Sequence, residues 1–554
     1  MGELLMTWTS GWRERAWAEL DRPWDLLVIG GGITGAGVFR QAADTGLRTL
    51  LVDAGDFASG TSSRSSKLVH GGLRYLRTAQ LRLTLESVRE REYLLRAGRG
   101  LVTPQGFLYA SLKGDHLPNW IFGLGLCAYD IMARQWQHRA YDPRAMQELC
   151  PSLNSPALKG GYRYFDAQTD DARLVLRLIR EGVDLGALAL NYTRVIDLLR
   201  TADGRVRGAV LEDRSGEIGQ TIEVQAQVIV NATGVWVDQL RGLLDRPPRM
   251  RPLRGSHLVL PLERLPLNRA VTFLHPQDGR PVFAIPWEGA IVFGTTDIDH
   301  QGQLASNPAI SRGEQDYLLS ALQHAFPSRG LTEDDILATF SGLRPVVNTG
   351  RADPSKESRE YAIWDDSCLI TVAGGKLTTF RLMARDALKR ACKHLPGSHY
   401  QRRRPALTPP PSEVASLVLE ESFSPFQQTR LLSRYSGAVL SRMLTDGARN
   451  QEEIPGTPYT WGELGSLASQ EAVVHLDDLL LRRLRLGLLL PKGGEVHLDR
   501  VGEIIRRELG WSMERWNQEA ADYRDLIQRS YSRADGSAPP VILLQPQPAG
   551  SAVQ

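Results

Sequence analysis

The sequence predicts an α/β protein in which a parallel-sheet nucleotide-binding domain is interleaved with an antiparallel-sheet domain and followed by a C-terminal helical domain. Three observations carry this reading. A short unbroken apolar strand runs straight into a glycine loop near residue 30. Two further apolar strands, near residues 226 and 369, each end in small-residue turns. Beyond a proline-rich stretch at 401–412 the chain becomes rich in Leu, Arg and Glu with few strand patterns. With 554 residues, 42% hydrophobic and 23% charged, the chain is too long for one core, so two or three packed units are expected.

The elements follow in order. A leader carrying Trp8, Trp12, Trp17 and Trp24 is interrupted by charges before any apolar run of signal-peptide length, so no export signal is read. The run Asp25-Leu-Leu-Val-Ile-Gly30 has the unbroken apolar character of a strand buried in a parallel sheet. Gly30-Gly-Gly32-Ile-Thr-Gly35 fits GxGxxG, Ala36 to Thr45 reads as a helix with small residues on one side, and Arg48 to Asp53 reads as a second buried strand. Together they form one βαβ unit of the Rossmann type. In such a unit Gly30 permits the tight turn, Gly32 lets backbone approach a pyrophosphate at the helix N-terminus, and Gly35 lets helix and strand pack closely. Asp53 stands where an acid accepts hydrogen bonds from ribose hydroxyls.

Alternating segments at Arg205 to Glu212, Gly255 to Leu260, Pro281 to Trp287 and Ala290 to Thr295 predict antiparallel strands. Ala226 to Val230 running into Asn231-Ala-Thr-Gly234, and Leu369 to Val372 running into Ala373-Gly-Gly375, return the chain twice to the first domain. The expected boundaries are 20–100, 165–250 and 360–400 for the nucleotide domain and 101–164 and 251–359 for the substrate domain. A linker at 401–412, a helical domain at 413–530 and a disordered tail at 531–554 complete the chain.

Charge and cysteine usage exclude several classes. Lys+Arg 66 against Asp+Glu 63 leaves a formal +3, too balanced for an acidic disordered chain or a strongly basic nucleic-acid binder. The clusters Arg402-Arg-Arg404 and Arg482-Arg483-Leu-Arg485 read as a solvated linker and a solvated helix face. Cys127, Cys150, Cys368 and Cys392 form no CxxC pair, which argues against a disulfide framework or a zinc ribbon and suits a reducing compartment. No His shows metal-ligand spacing, so no metal is expected. Asp166 and Asp170-Asp171 read as loop or helix-cap acids.

After Asp53 the chain carries a long polar, glycine-rich loop, Gly60-Thr-Ser-Ser-Arg-Ser-Ser-Lys-Leu-Val-His-Gly-Gly-Leu-Arg-Tyr75, which supplies hydroxyls and amides for a second, larger cofactor face. With Asn231-Ala-Thr-Gly-Val-Trp236 and Ala373-Gly-Gly-Lys-Leu-Thr-Thr-Phe-Arg381, this segment resembles the FAD-dependent glycerol-3-phosphate dehydrogenases of the wider D-amino-acid-oxidase-like flavoproteins. The likeness spans about Trp24 to Tyr523. Leu476-Asp-Asp-Leu-Leu-Leu-Arg-Arg483 and Leu509-Gly-Trp511 resemble that family's helical cap, and the match loosens between Glu413 and Leu467. One departure is Asp53, where many FAD proteins carry Glu. The resemblance implies an FAD-binding Rossmann-type domain whose cofactor contacts are Gly30, Gly32, Thr34, Gly35, Asp53, Thr61, Ser62, Ser63, Ser66, Lys67, Leu68, His70, Gly71, Gly72, Ala232, Thr233, Gly234, Trp236, Gly374, Gly375, Leu377 and Thr378.

It further implies oxidation of sn-glycerol 3-phosphate at C2 to dihydroxyacetone phosphate, with electrons passing to FAD and then to a membrane quinone. On this expectation His257 accepts the hydroxyl proton, Arg344 keeps the imidazole neutral and polarises the forming carbonyl, and Lys376, Arg74, Tyr75 and Arg359 hold the phosphate or line the flavin edge. A quinone dissolves in lipid, so a cytoplasmic enzyme lying peripherally on the inner face of the cytoplasmic membrane is expected. The contact falls to the tryptophan-rich leader or to Pro118 to Leu126 with Arg134 and Arg139, either of which reads equally as an internal packing element. An oxidase delivering electrons to oxygen, an oxidase of amino or 2-hydroxy acids, and a non-catalytic flavin-binding regulator are the alternatives. A homodimer is left open.

Overall fold

The computed structural model describes residues 8–534 except 10, 74–79, 116–118, 134–135, 352–356, 358–359, 398–404, 421–422 and 445–450. Arg74, Tyr75, Arg359, the Arg402–Arg404 cluster and nearly all of the expected tail therefore lie outside the described residues.

Strand Trp24–Ile29 sits inside the first sheet, parallel to Thr49–Val52 on one side and to Thr221–Asn231 on the other. The latter runs parallel to Leu369–Gly374 in turn. Successive side chains of a strand face opposite ways. Leu26 and Val28 accordingly join a core with helices Ile33–Thr45, Asp171–Asp184 and Phe380–Ala391, while Leu27 and Ile29 join a second core beneath the hairpin Thr193–Arg200/Val206–Asp213. Both faces are covered, which is why this strand carries no polar alternation. The first helix ends at Gly46, whose φ of 85° is the left-handed cap that glycine accepts without cost.

The leader tryptophans belong to these cores. Trp8, Trp17 and Trp24 are buried, and each stabilises the fold by about 2–3 kcal/mol, as expected for a large apolar side chain removed from water. These three side chains of the leader thus serve packing rather than presenting an apolar face outward.

Among the described residues the second sheet has ten strands, with Met250–Pro261, Ala290–Gly294, Pro281–Trp287, Ala270–Leu274, Val102–Leu112 and Leu158–Thr169 as its continuous middle. Ala338–Val347 also pairs with Met250–Pro261 over ten residue positions. The sheet is antiparallel except at one joint, where Ala270–Leu274 runs parallel to Val102–Leu112. That joint brings together two distant chain segments, the long connection a parallel pair requires.

The C-terminal helices, among them Pro425–Arg434, Trp461–Gln470, Leu498–Leu509 and Met513–Leu526, pack a leucine-rich core against Val259, Trp287, Val292, Ala338 and Phe340 of the second sheet. Their junction with the first domain is ionic. Arg482, Arg483 and Arg485 are buried, which corrects the solvated face expected for them. Arg482 and Arg483 both donate to Asp56, while Arg485 reaches Asp170 at 2.6 Å and Asp171 at 2.5 Å. Arg173 adds a bidentate pair with Glu471. Asp170 also caps the helix Asp171–Asp184 by accepting from the Arg173 N–H. The proline-rich connection is docked rather than loose: Arg177 donates to the Thr408 carbonyl, and the Thr408 N–H donates to Glu181 at 2.9 Å.

Candidate active site

One cavity of about 2060 Å³ is walled by both sheets. Its lining includes Gly30, Gly32, Thr34, Asp53, Thr61, Ser62, Ser66, Leu68, His70, Gly72, Ala232, Thr233, Gly234, Trp236, Gly374, Gly375, Lys376, Leu377 and Thr378 together with His257 and Arg344. The structure thus gathers motifs separated by more than 300 residues around one space.

The glycine cradle is tight. Gly30 has φ of 106°, and a Cβ there would stand 2.6 Å from the Ala232 carbonyl oxygen. A Cβ on Gly35 would stand 1.8 Å from the Gly30 carbonyl oxygen, a backbone atom that cannot move aside. Gly32 caps the helix Ile33–Thr45, and the Ile33 N–H donates to Ser62 Oγ at 2.9 Å. Asp53 accepts the Gly31 N–H at 2.6 Å and the Gly55 N–H at 2.9 Å, so it also fastens the glycine loop. Burial raises its carboxyl to about 6, against the opposing pull of those two N–H donors.

In the polar loop, Ser63, Lys67 and Gly71 do not line the cavity. Lys67 is fully buried and turned away: its Nζ donates to the Ser63 carbonyl at 2.6 Å and to both oxygens of Asp171 at 2.9 and 3.0 Å, above the Phe340 ring. Burial, partly opposed by Asp171, brings its ammonium down to about 8. Gly71 is a packing glycine, its N–H on Asp166 and the Tyr129 hydroxyl 2.2 Å from where a Cβ would stand. Gly35 likewise serves packing. These four were expected as cofactor contacts, and here they shape the loop and helix from behind.

His257 lies on strand Met250–Pro261 with its ring stacked on Phe340, centroids 4.6 Å apart. Nε2 is 2.8 Å from Ser66 Oγ, and Nδ1 is buried with no hydrogen-bond partner, an arrangement that costs about 1–3 kcal/mol. Burial first, then the charges of Arg344 and Lys67, hold the imidazole well below its ordinary protonation range, so it is neutral at pH 7. Arg344 pairs in register with Leu253 and leans over Gly255, where a Cβ would stand 2.2 Å from the guanidinium. Its Nη1 donates to Asp297 at 2.7 Å and to the Thr296 carbonyl at 3.0 Å, and its Nη2 donates to Thr295 Oγ1 at 3.0 Å. Lys376 Nζ donates to Ser87 Oγ at 2.7 Å.

Several participants escaped the sequence. Thr295 and Asp297 fix Arg344, Asp171 anchors Lys67, and Arg64, which lines the cavity, donates to the Tyr531 hydroxyl of the C-terminal domain at 2.7 Å. Only the motif membership of Arg64 marked it beforehand, and the other three stand in stretches without a motif. The arrangement binds an extended anion-bearing group at a helix N-terminus and places a neutral imidazole beside fixed cations. An FAD-sized dinucleotide fits it, because Gly30, Gly32 and the N-terminus of helix Ile33–Thr45 line a cavity that exceeds the usual few hundred Å³ of a small-ligand site.

Comparison with known proteins agrees. The family model described as FAD dependent oxidoreductase matches residues 25–379, and the model described as C-terminal domain of alpha-glycerophosphate oxidase matches residues 393–516. The chain is 37% identical over 381 residues to a protein named aerobic glycerol-3-phosphate dehydrogenase from Staphylococcus haemolyticus, covering 67% of each chain. It is 35% identical over 537 residues to one named glycerol-3-phosphate dehydrogenase 2 from Mycobacterium bovis, covering 92% of this chain and 89% of that one. A solved structure of the glycerol-3-phosphate dehydrogenase from Bacillus halodurans complexed with FAD aligns with a TM-score of 0.77 at 28% identity, covering 96% of this chain and 100% of that chain. The chain belongs to the FAD dependent oxidoreductase family, in its glycerol-3-phosphate dehydrogenase branch.

Proposed function

We propose that this protein oxidises sn-glycerol 3-phosphate at C2 to dihydroxyacetone phosphate and passes the electrons to a membrane quinone. The observation that carries the reading is the neutral, buried His257 beside Arg344 in the same cavity as the glycine cradle. FAD, when bound, supplies the acceptor for a hydride leaving C2. The glycine cradle and Asp53 hold its pyrophosphate and ribose. Arg344 and Lys376 are among the cations lining the cavity, and with Arg74, Tyr75 and Arg359 they make up the phosphate clamp. His257 accepts the C2 hydroxyl proton at Nε2, the nitrogen that also faces Ser66, while the Arg344 guanidinium stabilises negative charge growing on the C2 oxygen.

A quinone suits the apolar side of the cavity. Ile121, Phe122, Leu124, Gly125 and Ala128 of helix Asn119–Ala133 line it together with Phe107, Tyr109 and Phe283. The same helix exposes Trp120 (63%), Leu124 (60%) and Ile131 (69%). No helix among the described residues is long and apolar enough to cross a membrane. An exposed apolar face of this kind supports contact with a lipid surface. Replacing His257 with Ala should lower turnover by ~100-fold or more with FAD retained. Unchanged turnover would remove His257 from the reaction, and peroxide formation exceeding reduction of a quinone analogue would replace the acceptor with oxygen.

A further inference from the structure

Cys127 stands outside the site described above, on helix Asn119–Ala133, and it does not stand alone. Its Sγ is 3.6 Å from His138 Nε2, and the opposite ring nitrogen, Nδ1, is 2.8 Å from Asp130 Oδ2. That same carboxylate oxygen accepts the Gln137 N–H at 2.8 Å and the His138 N–H at 3.0 Å. These contacts hold Gln137 and His138 against the helix, with the imidazole beside the thiol. A carboxylate only accepts, so Nδ1 carries the ring proton and Nε2 offers its lone pair to the thiol. This is a nucleophile, a base and a group that orients the base.

The bland alternatives fit less well. Asp130 faces the ring nitrogen away from Cys127, so the three do not converge on an ion. Among the described residues, no group of three or more His, Cys, Asp or Glu is arranged to hold a metal. Cys150 and Cys368 are buried, and burial pushes their thiols and that of Cys392 up, away from the reactive form. Cys127 is half-buried, reachable by a small reagent, and shares its helix with residues lining the cavity.

We propose that Cys127 is a redox-modification site, a thiol that His138 activates and that a hydroperoxide oxidises to the sulfenic acid. Sγ passes its proton to Nε2, and the thiolate attacks one peroxide oxygen, so that an S–O bond forms as the O–O bond breaks. The departing hydroxide takes the proton from the imidazolium and leaves as water. The sulfur loses two electrons and the peroxide gains them. Oxygen that takes electrons from a reduced flavoprotein leaves as hydrogen peroxide, and this helix lines the cavity. The source of the peroxide rests on the function proposed above, while the chemistry of the thiol does not.

The test therefore adds hydrogen peroxide directly to the full-length, FAD-loaded protein, traps sulfenic acid with dimedone, and reads each cysteine by peptide mass spectrometry. Cys127 should be trapped ~10-fold or more faster than Cys392, the other half-buried cysteine, and His138→Gln should bring it down to the rate of Cys392. Alkylation by iodoacetamide should show the same ranking without any oxidant. If His138→Gln loses its FAD or its helical circular dichroism, Asp130→Asn, which releases the imidazole, should slow Cys127 instead. Trapping of Cys127 no faster than Cys392, or a rate indifferent to both substitutions, overturns the proposal. Because no substrate or acceptor is used, these outcomes are independent of whether glycerol 3-phosphate is oxidised.

Discussion

In the proposed reaction His257 is the base, and its protonation state is set by its surroundings rather than by its own ring. Burial and the charges of Arg344 and Lys67 lower its protonation well below 6.5. A base that is neutral in this way stays competent as the pH falls through 6.5. The rate of flavin reduction at saturating substrate should therefore show no acid limb from this group near 6.5. In Arg344→Gln one opposing charge is gone, so protonation should move up toward the ordinary value and an acid limb should appear at higher pH, whatever the loss in absolute rate. A wild-type limb at 6.5 that Arg344→Gln leaves in place would contradict the assignment. At this scale the sequence marks residue types better than directions. Ser66 and Lys67 are neighbours in one motif, yet Ser66 faces His257, 191 positions away, and Lys67 turns to Asp171, 104 positions away. Nothing local to the motif distinguishes them, because the partners that decide are supplied by the second sheet and by the helix Asp171–Asp184.

Among the elements, helix Asn119–Ala133 joins the cavity to the surface. Its Phe122 stacks on Tyr109 with centroids 3.7 Å apart, fixing one face to the second sheet, while Trp120, Leu124 and Ile131 are left outward. Replacing Trp120 and Ile131 together with Glu should reduce flotation with anionic liposomes at least ~10-fold, since each change removes apolar surface and adds repulsion from the anionic lipid. Undiminished flotation of the double variant would move the membrane contact elsewhere. The sequence could not choose between this helix and the leader, because an amphipathic segment looks alike in a core and at an interface. The burial of Trp8, Trp17 and Trp24 is what favours the helix in the proposal. The βαβ unit, by contrast, was legible because its strand, glycine turn, helix and second strand are contiguous. The parallel joint between Ala270–Leu274 and Val102–Leu112 was not, since strand pairing over such a separation leaves no local mark.

Across the whole molecule, the C-terminal domain is locked to the cofactor domain by buried charge. Arg482, Arg483 and Arg485 read as a solvated face because arginines usually are, and apart from Asp477 and Asp478 beside Arg482 their acids lie hundreds of positions away at Asp56, Asp170 and Asp171. Removing one partner of such a network leaves buried charge uncompensated, so Arg485→Met should destabilise by about 3–5 kcal/mol. Arg507→Met, on an exposed side chain, should cost under about 0.5 kcal/mol. Equal denaturation midpoints for the two variants would contradict the lock. Burial alone would raise the Asp56 carboxyl, but Arg483 and Arg482 outweigh it and hold it at about 2. Its folded value is thus depressed, so its contribution is present above about pH 4 and is lost as the pH falls toward 2. The lock also reaches the site, since Arg485 and Lys67 share Asp171 and Lys67 belongs to the loop that carries Ser66. The measurement that tests the central claim most directly is the visible spectrum of the purified yellow protein, without oxygen, on addition of sn-glycerol 3-phosphate. The account predicts that the flavin band bleaches and returns when a quinone analogue is added. A band untouched by the substrate, in protein that retains its flavin, would contradict it.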